Sequence, residues 1–403
     1  MVERVARLSP DGVAALHDAM TGHVDAGEVP GLAYLVARGD DVRVQTIGAA
    51  SFDDPTPLDR SAIFRIASLT KPITAVATMS LVEEGIVRLD QAVDDLLPEL
   101  AGRRVLRALD AELDDTVPAE RPITVEDLLS SRFGFGTVMA PPDTLPIQRA
   151  EAALELQSIG GPPWPPGGHD VDSWIAALGS LPLMYQPGAQ WLYNTASQVL
   201  GVLLARATGD PIGTVMRDRI FAPLGMSDTG FVVPADQRHR LTIFYRPDDE
   251  TGAPVVLDAP ERSWWSTPEP LPDASGWLVS TVDDYWAFVA MLLGGGAARG
   301  RRVLSPDSVA LMTTDRLTPA QREAARLFLG DDLGWGLGLA TPAAGRAAPF
   351  PSGVGWDGGT GTTWRSDLAT GATGILFTQR QATSPEPPPL MSDFWAGVNA
   401  ATR

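Results

Sequence analysis

Strand-forming sequence stands at the two ends of this 403-residue chain, with helical and irregular sequence between them. Near the start, "GLAYLVARGDDVRVQTIGAAS" reads as two β-rich runs joined at Gly39-Asp40-Asp41, a hairpin signal. Near the end, "GWGLGLAT", "TTWRSDL" and "TGILFTQR" are again strand-like, and a short helix closes the chain. A lone hairpin is marginal in water, so strands this far apart must meet in space. The pattern predicts one α/β domain assembled from both termini, residues 1–95 plus 270–403, carrying a mostly helical insertion at 96–269. No internal repeat points to a solenoid.

The helical segments carry their own signals. Val13, Leu16, Met20 and Val24 recur at helical spacing within residues 10–26. In "FRIASLTKPITAV" and the residues that follow, Ile73, Val76, Ala77, Ser80 and Leu81 share a face, and Gly85 is a stop signal. Pro72 fits this helix only if it begins near Ser68, because the missing N–H then falls among the first four, which lack intrahelical partners. Ser68 is thus expected at a helix N-terminus with Lys71 on the same face. "ITVEDLLSS" has a Thr124–Asp127 capping pattern, and "NTASQVLGVLLARATGD" reads as a buried helix ending at Gly209. "VDDYWAFVAMLL" and "SPDSVALMTTD" are helical. "GGPPWPPGGHD" reads as an exposed loop and 251–276 as another long connection.

Composition removes several classes of function. A formal charge of −19 repels polyanions, so neither nucleic acid nor an acidic membrane surface is an expected partner. Without cysteine there is no disulfide, thiolate metal site or cysteine nucleophile. His17, His23, His169 and His239 are scattered without ligand spacing, and no P-loop lysine, GxGxxG turn or GxSxG elbow occurs; no metal and no cofactor is expected. "VLGVLLARA" is too short to span a bilayer, and the first twenty residues lack an apolar export core. The expectation is a cytoplasmic protein, with a bias to arginine, alanine, glycine and proline resembling that of a GC-rich bacterial genome.

Lys71 is the sole lysine among 31 lysines and arginines. A serine hydroxyl needs an adjacent base to act as a nucleophile. A lysine amine can be that base when burial lowers its pKa, whereas an arginine guanidinium stays charged. A serine three residues before the one lysine arises by chance roughly once in fifteen.

With these residues in view, the chain resembles the serine hydrolases related to class C β-lactamases, penicillin-binding proteins and family VIII carboxylesterases. "FRIASLTKPITAVATMSLVEEGIVRLDQAV", "ITVEDLLSSRFGF", "QPGAQWLYNTASQVLGVLLARATG", "IFAPLGMSDTGF" and "GWDGGTGTTWRSDL" match that family's segments in order. The resemblance implies an antiparallel sheet flanked by helices, Ser68 as acylated nucleophile, and Lys71 as its base or proton relay. Tyr193 would be the second base, with a nearby ammonium lowering its pKa. The amides of Ser68 and Gly359 would form the oxyanion hole, and Trp356, Asp357, Gly358 and Thr195 would contact substrate. Trp356 replaces the cation with which β-lactamases hold a carboxylate, and Thr195 replaces an asparagine, while Asn194 falls one place early. These departures favour a neutral ester or acyl group and the esterase and acyltransferase branch. The expected activity is ester hydrolysis through an acyl-enzyme on a small-molecule ester or acyl substrate. An acyltransferase, a β-lactamase or D-amino-acid peptidase, and a non-enzymatic penicillin-binding-like protein are the alternatives. Trp191, Trp264, Trp265, Trp277 and Trp364 are candidates for an acyl pocket, though aromatic residues in such numbers more often pack a core.

Overall fold

The computed structural model describes residues 7–156, 168–268, 271, 273–345, 350–384 and 386–403. Among them, one antiparallel sheet is built from β1 (Gly31–Arg38), β2 (Asp41–Gly48), β3 (Leu333–Trp335), β4 (Ala340–Pro342), β5 (Val354–Gly358), β6 (Thr362–Ser366) and β7 (Thr373–Phe377). The order β3-β4-β5-β6-β7-β1-β2 makes the N-terminal hairpin the continuation of the C-terminal meander. The join lies between β1 and β7, where Leu35 stands opposite Ile375. Gly39 turns the β1–β2 hairpin with φ +59°, a backbone conformation glycine adopts without a Cβ clash.

The helices that bear on the sheet and the site are α1 (Pro10–Asp25), α2 (Thr70–Glu83), α3 (Val125–Leu129), α4 (Thr195–Thr208), α5 (Val282–Leu293) and α6 (Pro389–Thr402). Alternation along β1 divides its side chains between two layers. Leu32, Tyr34 and Val36 meet Leu16 and Met20 of α1 and Phe394 and Val398 of α6. Ala33, Leu35 and Ala37 face the opposite way, into a core with Ile73 and Val76 of α2 and Phe288 of α5. That is why "GLAYLVA" is apolar at every position instead of alternating. Ser9 caps α1 by accepting from the Gly12 amide, and Pro10 occupies the first turn where no donor is missed.

Several helical expectations match the structure. The Thr124–Asp127 capping box starts α3, and Gly209 ends α4 in the left-handed conformation. Three readings need correction. The α2 residues share no single apolar face, because Thr70 to Leu81 are all buried; the helix runs through the centre of the molecule. The 251–276 connection contains a strand, Pro254–Asp258, paired back onto Phe244–Pro247. The closing helix is longer than expected, at 14 residues. Most of "GGPPWPPGGHD" lies outside the described residues. Among the described residues no single helix is long and apolar enough to cross a membrane.

Candidate active site

Ser68 occupies a 3-10 turn, Ala67–Leu69, that leads directly into α2. Ala67 is held at φ +42°, a strained conformation costing about 1–3 kcal/mol that persists only under tight constraint. The constraints come from every side. The Ile66 amide donates to the Leu278 carbonyl, and Tyr285 Oη of α5 donates to the Leu69 carbonyl at 3.2 Å. Thr360 Oγ1 donates to the Arg65 carbonyl at 2.5 Å and Thr362 Oγ1 to the Ile66 carbonyl at 3.1 Å. Two threonines thus fasten the β5–β6 turn to the backbone just before the serine. Gly358 is needed for this approach, since a Cβ there would meet the Ile66 carbonyl oxygen at 2.5 Å. At Gly359 the corresponding space is open.

Lys71, one helical turn on, is 2% exposed. Its Nζ donates to Ser68 Oγ at 2.9 Å, Asn194 Oδ1 at 2.8 Å and the Ser275 carbonyl at 2.8 Å. It also stands over the Tyr193 ring, 4.5 Å from the centroid. Burial pushes the Lys71 pKa down to about 7, with the Asp273 carboxylate opposing part of that shift. Near neutral pH, about half of the molecules therefore hold a neutral amine beside Ser68.

Tyr193 departs from expectation. Burial pushes its pKa up to about 12, against hydrogen bonds from Ser68 and Trp356, and the Asp357 and Asp273 charges act in the same direction as burial. The phenol is neutral at physiological pH, so it can carry a proton between groups but is not a standing base. Trp356 Nε1 donates to Tyr193 Oη at 2.9 Å, so the indole holds the phenol in place where a cation would have acidified it. The Tyr193 ring packs against Phe328 at 4.8 Å and Trp191 at 5.8 Å, and Trp335 packs edge-on against Trp356 at 4.7 Å.

Ser68, Lys71, Tyr193, Trp356 and Gly358 lie together around the start of α2, whereas Asp357 and Thr195 turn elsewhere. Strand alternation puts Trp356 and Gly358 on the face toward Ser68 and turns Asp357 to the other. There its carboxylate accepts from Arg365 at 2.7 and 3.1 Å and from Thr363 at 2.5 Å. Thr195 is 1% exposed at the start of α4, and the amide that reaches Lys71 belongs to Asn194. Asn194 has φ +77° and ψ −66°, and the Thr195 amide donates back to the Tyr193 carbonyl. This γ-turn is the rare positive-φ form, and it aims an asparagine that linear spacing placed one residue early.

Among the candidate tryptophans, Trp191 borders Tyr193, whereas Trp265 and Trp277 stack on each other at 4.7 Å within the core. Trp364 packs beside Tyr285 and Phe288, and Trp264 is half-buried. Sequence reading missed Asn194 as a Lys71 partner, Phe328, Trp335, Ser275, Asp273 and the two anchoring threonines. Among the described residues no cluster of histidine and carboxylate side chains could hold a metal ion. His23 instead bridges Glu28 at 2.8 Å and Asp393 at 3.0 Å.

The Beta-lactamase family model matches residues 16–390. Protein Rv1367c of Mycobacterium tuberculosis is 39% identical over 352 residues, covering 85% of this chain and 84% of that one. Esterase EstB of Burkholderia gladioli is 28% identical over 372 residues, covering 86% and 85%. Among solved structures, EstCE1, described as a hydrolase with promiscuous acyltransferase activity, superposes with a TM-score of 0.79 at 23% identity, covering 96% of this chain and 99% of that one.

Proposed function

The chain belongs to the β-lactamase family of serine hydrolases and acyltransferases, and from that premise we propose that it cleaves neutral carboxylic esters through an acyl-enzyme on Ser68. The observation that carries the reading is the buried Lys71 amine, 2.9 Å from Ser68 Oγ and titrating at about 7. Lys71 Nζ takes the Ser68 proton as Oγ bonds to the ester carbonyl carbon. The carbonyl electron pair moves to oxygen, where the amides of Ser68 and Gly359 receive it. Collapse expels the alcohol oxygen, which takes the Tyr193 proton while Lys71 restores one to the phenol. Water then gives its proton to the same relay and attacks the acyl carbon, and carboxylic acid leaves with Ser68 regenerated.

Trp356 supports a neutral substrate: its indole N–H is engaged by Tyr193 and offers no charge to a carboxylate. An alternative acceptor alcohol would turn the same acyl-enzyme into an acyltransferase. The aromatic wall of Tyr193, Phe328 and Trp356, which disfavours water, supports that second reading. β-Lactam or D-amino-acid peptide cleavage stands behind both, since Trp356 occupies the place of the cation that would hold a carboxylate.

The test is parallel turnover of p-nitrophenyl butyrate and a chromogenic cephalosporin, with and without added alcohol. Ester turnover with Ser68 labelled by a fluorophosphonate in the intact mass is expected, and transfer shows as the ester of the added alcohol. No ester turnover together with no labelling would sink the proposal; fast cephalosporin turnover with weak ester turnover would overturn the role given to Trp356.

A further inference from the structure

Acylation creates a charge where the protein is least able to solvate one. When the Ser68 O–H bond breaks, its proton becomes part of an ammonium on Lys71, and the Oγ electron pair enters the new bond to carbon. The Lys71 head group is buried, and its hydrogen-bond partners among the described residues, Ser68, Asn194 and the Ser275 carbonyl, carry no formal charge. An ammonium in such a place is costly unless an anion faces it.

Asp273 is 7% exposed, and among the described residues it forms no ion pair with an arginine. Its Oδ1 accepts from the Ser275 amide at 2.6 Å, and Ser275 is the residue whose carbonyl accepts from Lys71. Its Oδ2 accepts from Gln198 Nε2 of α4 at 3.3 Å. Between them, the Ala274 carbonyl accepts from Thr74 Oγ1 of α2 at 2.7 Å, which fixes the segment against the helix that carries Lys71. Among the described residues, two other titratable groups border this part of the site. Tyr193 is neutral, and Asp357 is held by Arg365 on the far face of β5.

We propose that Asp273 is the counter-ion of the Lys71 ammonium formed during acylation, a positioning residue that acts through the Ser275 turn and never touches substrate. The inference rests on the acyl-enzyme reading for its catalytic meaning, but the electrostatic pairing can be measured without turnover. The Asp273 charge opposes the burial effect on Lys71, which agrees with the pairing in sign.

With one lysine in the chain, lysine labelled with carbon-13 at Cε gives a single side-chain titration. Asp273→Asn and Asp273→Ser remove the charge but leave an acceptor for the Ser275 amide. Among the described residues Gln198 Oε1 is buried without a partner, and it can take the new amide hydrogen of asparagine. Both variants are expected to lower the Lys71 midpoint from about 7 by roughly one pH unit. The acid limb of kcat/KM should move down with it, kcat should fall about tenfold at the plateau, and KM should hold. Asp273→Glu, which keeps the charge, should restore the wild-type midpoint.

Neutral variants that are native by circular dichroism yet titrate Lys71 as the wild type does would overturn the proposal. If neither neutral variant folds, an Asp273→Glu midpoint displaced by more than one pH unit would also overturn it, and one that matches wild type would support it. A wild type inert toward esters whose Lys71 still responds to Asp273 would refute the esterase reading and leave the counter-ion standing. Turnover without that response would do the reverse.

Discussion

Replacing Lys71 with arginine keeps the positive charge and much of the hydrogen-bonding capacity while removing the ability to become neutral. In the wild type, a pKa of about 7 leaves roughly half of the amines unprotonated at pH 7. An arginine guanidinium stays charged in a protein, and even with burial opposing its charge the neutral fraction at pH 7 is roughly one in a thousand or less. Lys71→Arg should therefore lose on the order of a thousandfold in kcat/KM, about 4 kcal/mol of transition-state stabilisation. That magnitude lies within the range for a positioned general base. The assay is p-nitrophenyl butyrate hydrolysis together with the rate of Ser68 labelling by a fluorophosphonate, since both require the same proton removal. The wild-type pH profile checks the sign. Because the neutral amine is the working form, kcat/KM should rise with unit slope as pH climbs through about 7 and then level off. A Lys71→Arg variant retaining more than a tenth of the activity, or a wild-type profile that falls through pH 7, would refute the argument.

Three further outcomes follow from the same geometry. Lys71 has a folded-state pKa below its unfolded value, so its stabilising contribution is present above about 10.5 and is lost as pH falls toward about 7. Relative to Lys71→Met, the wild type should lose about 5 kcal/mol of unfolding free energy across that window, order of magnitude, by urea titration; a constant difference would contradict the burial effect. Trp356→Phe removes the donor to Tyr193 Oη and should lower kcat by about tenfold, the worth of one buried hydrogen bond of about 1–2 kcal/mol; an unchanged kcat would show that the indole does not position the phenol. Thr124→Ala removes the α3 capping box and should cost about 1 kcal/mol in denaturant unfolding with ester kinetics unaltered.

The parts of the site that were legible in advance are those written within a few residues. Ser68 and Lys71 are a helical turn apart, and Pro72 dates the start of their helix, so their contact follows from spacing alone. Strand alternation puts Trp356 and Gly358 on one face of β5 and Asp357 on the other, so the expectation that all three contact substrate overlooked the period of the strand. Asn194 escaped because spacing assumes regular backbone, and a γ-turn with positive φ redirects the side chain. Thr360 and Thr362 escaped for another reason. A threonine in a β-hairpin gives no sign that its hydroxyl will cap carbonyls 295 or 296 residues earlier.

By itself, the sequence determined the starts of α2 and α3 and the end of α4, that strands at both ends must pair, and that one lysine sits beside one serine. Those are local consequences of side-chain periodicity, capping and turn chemistry. Tertiary structure alone decided the electrostatics. Lys71 meets the Ser275 carbonyl across 204 residues, and Trp356 meets Tyr193 across 163. A pKa depends on what surrounds a group in three dimensions, so whether the lysine or the tyrosine could shed its proton near neutral pH was settled only when α2 was buried at the centre of the fold.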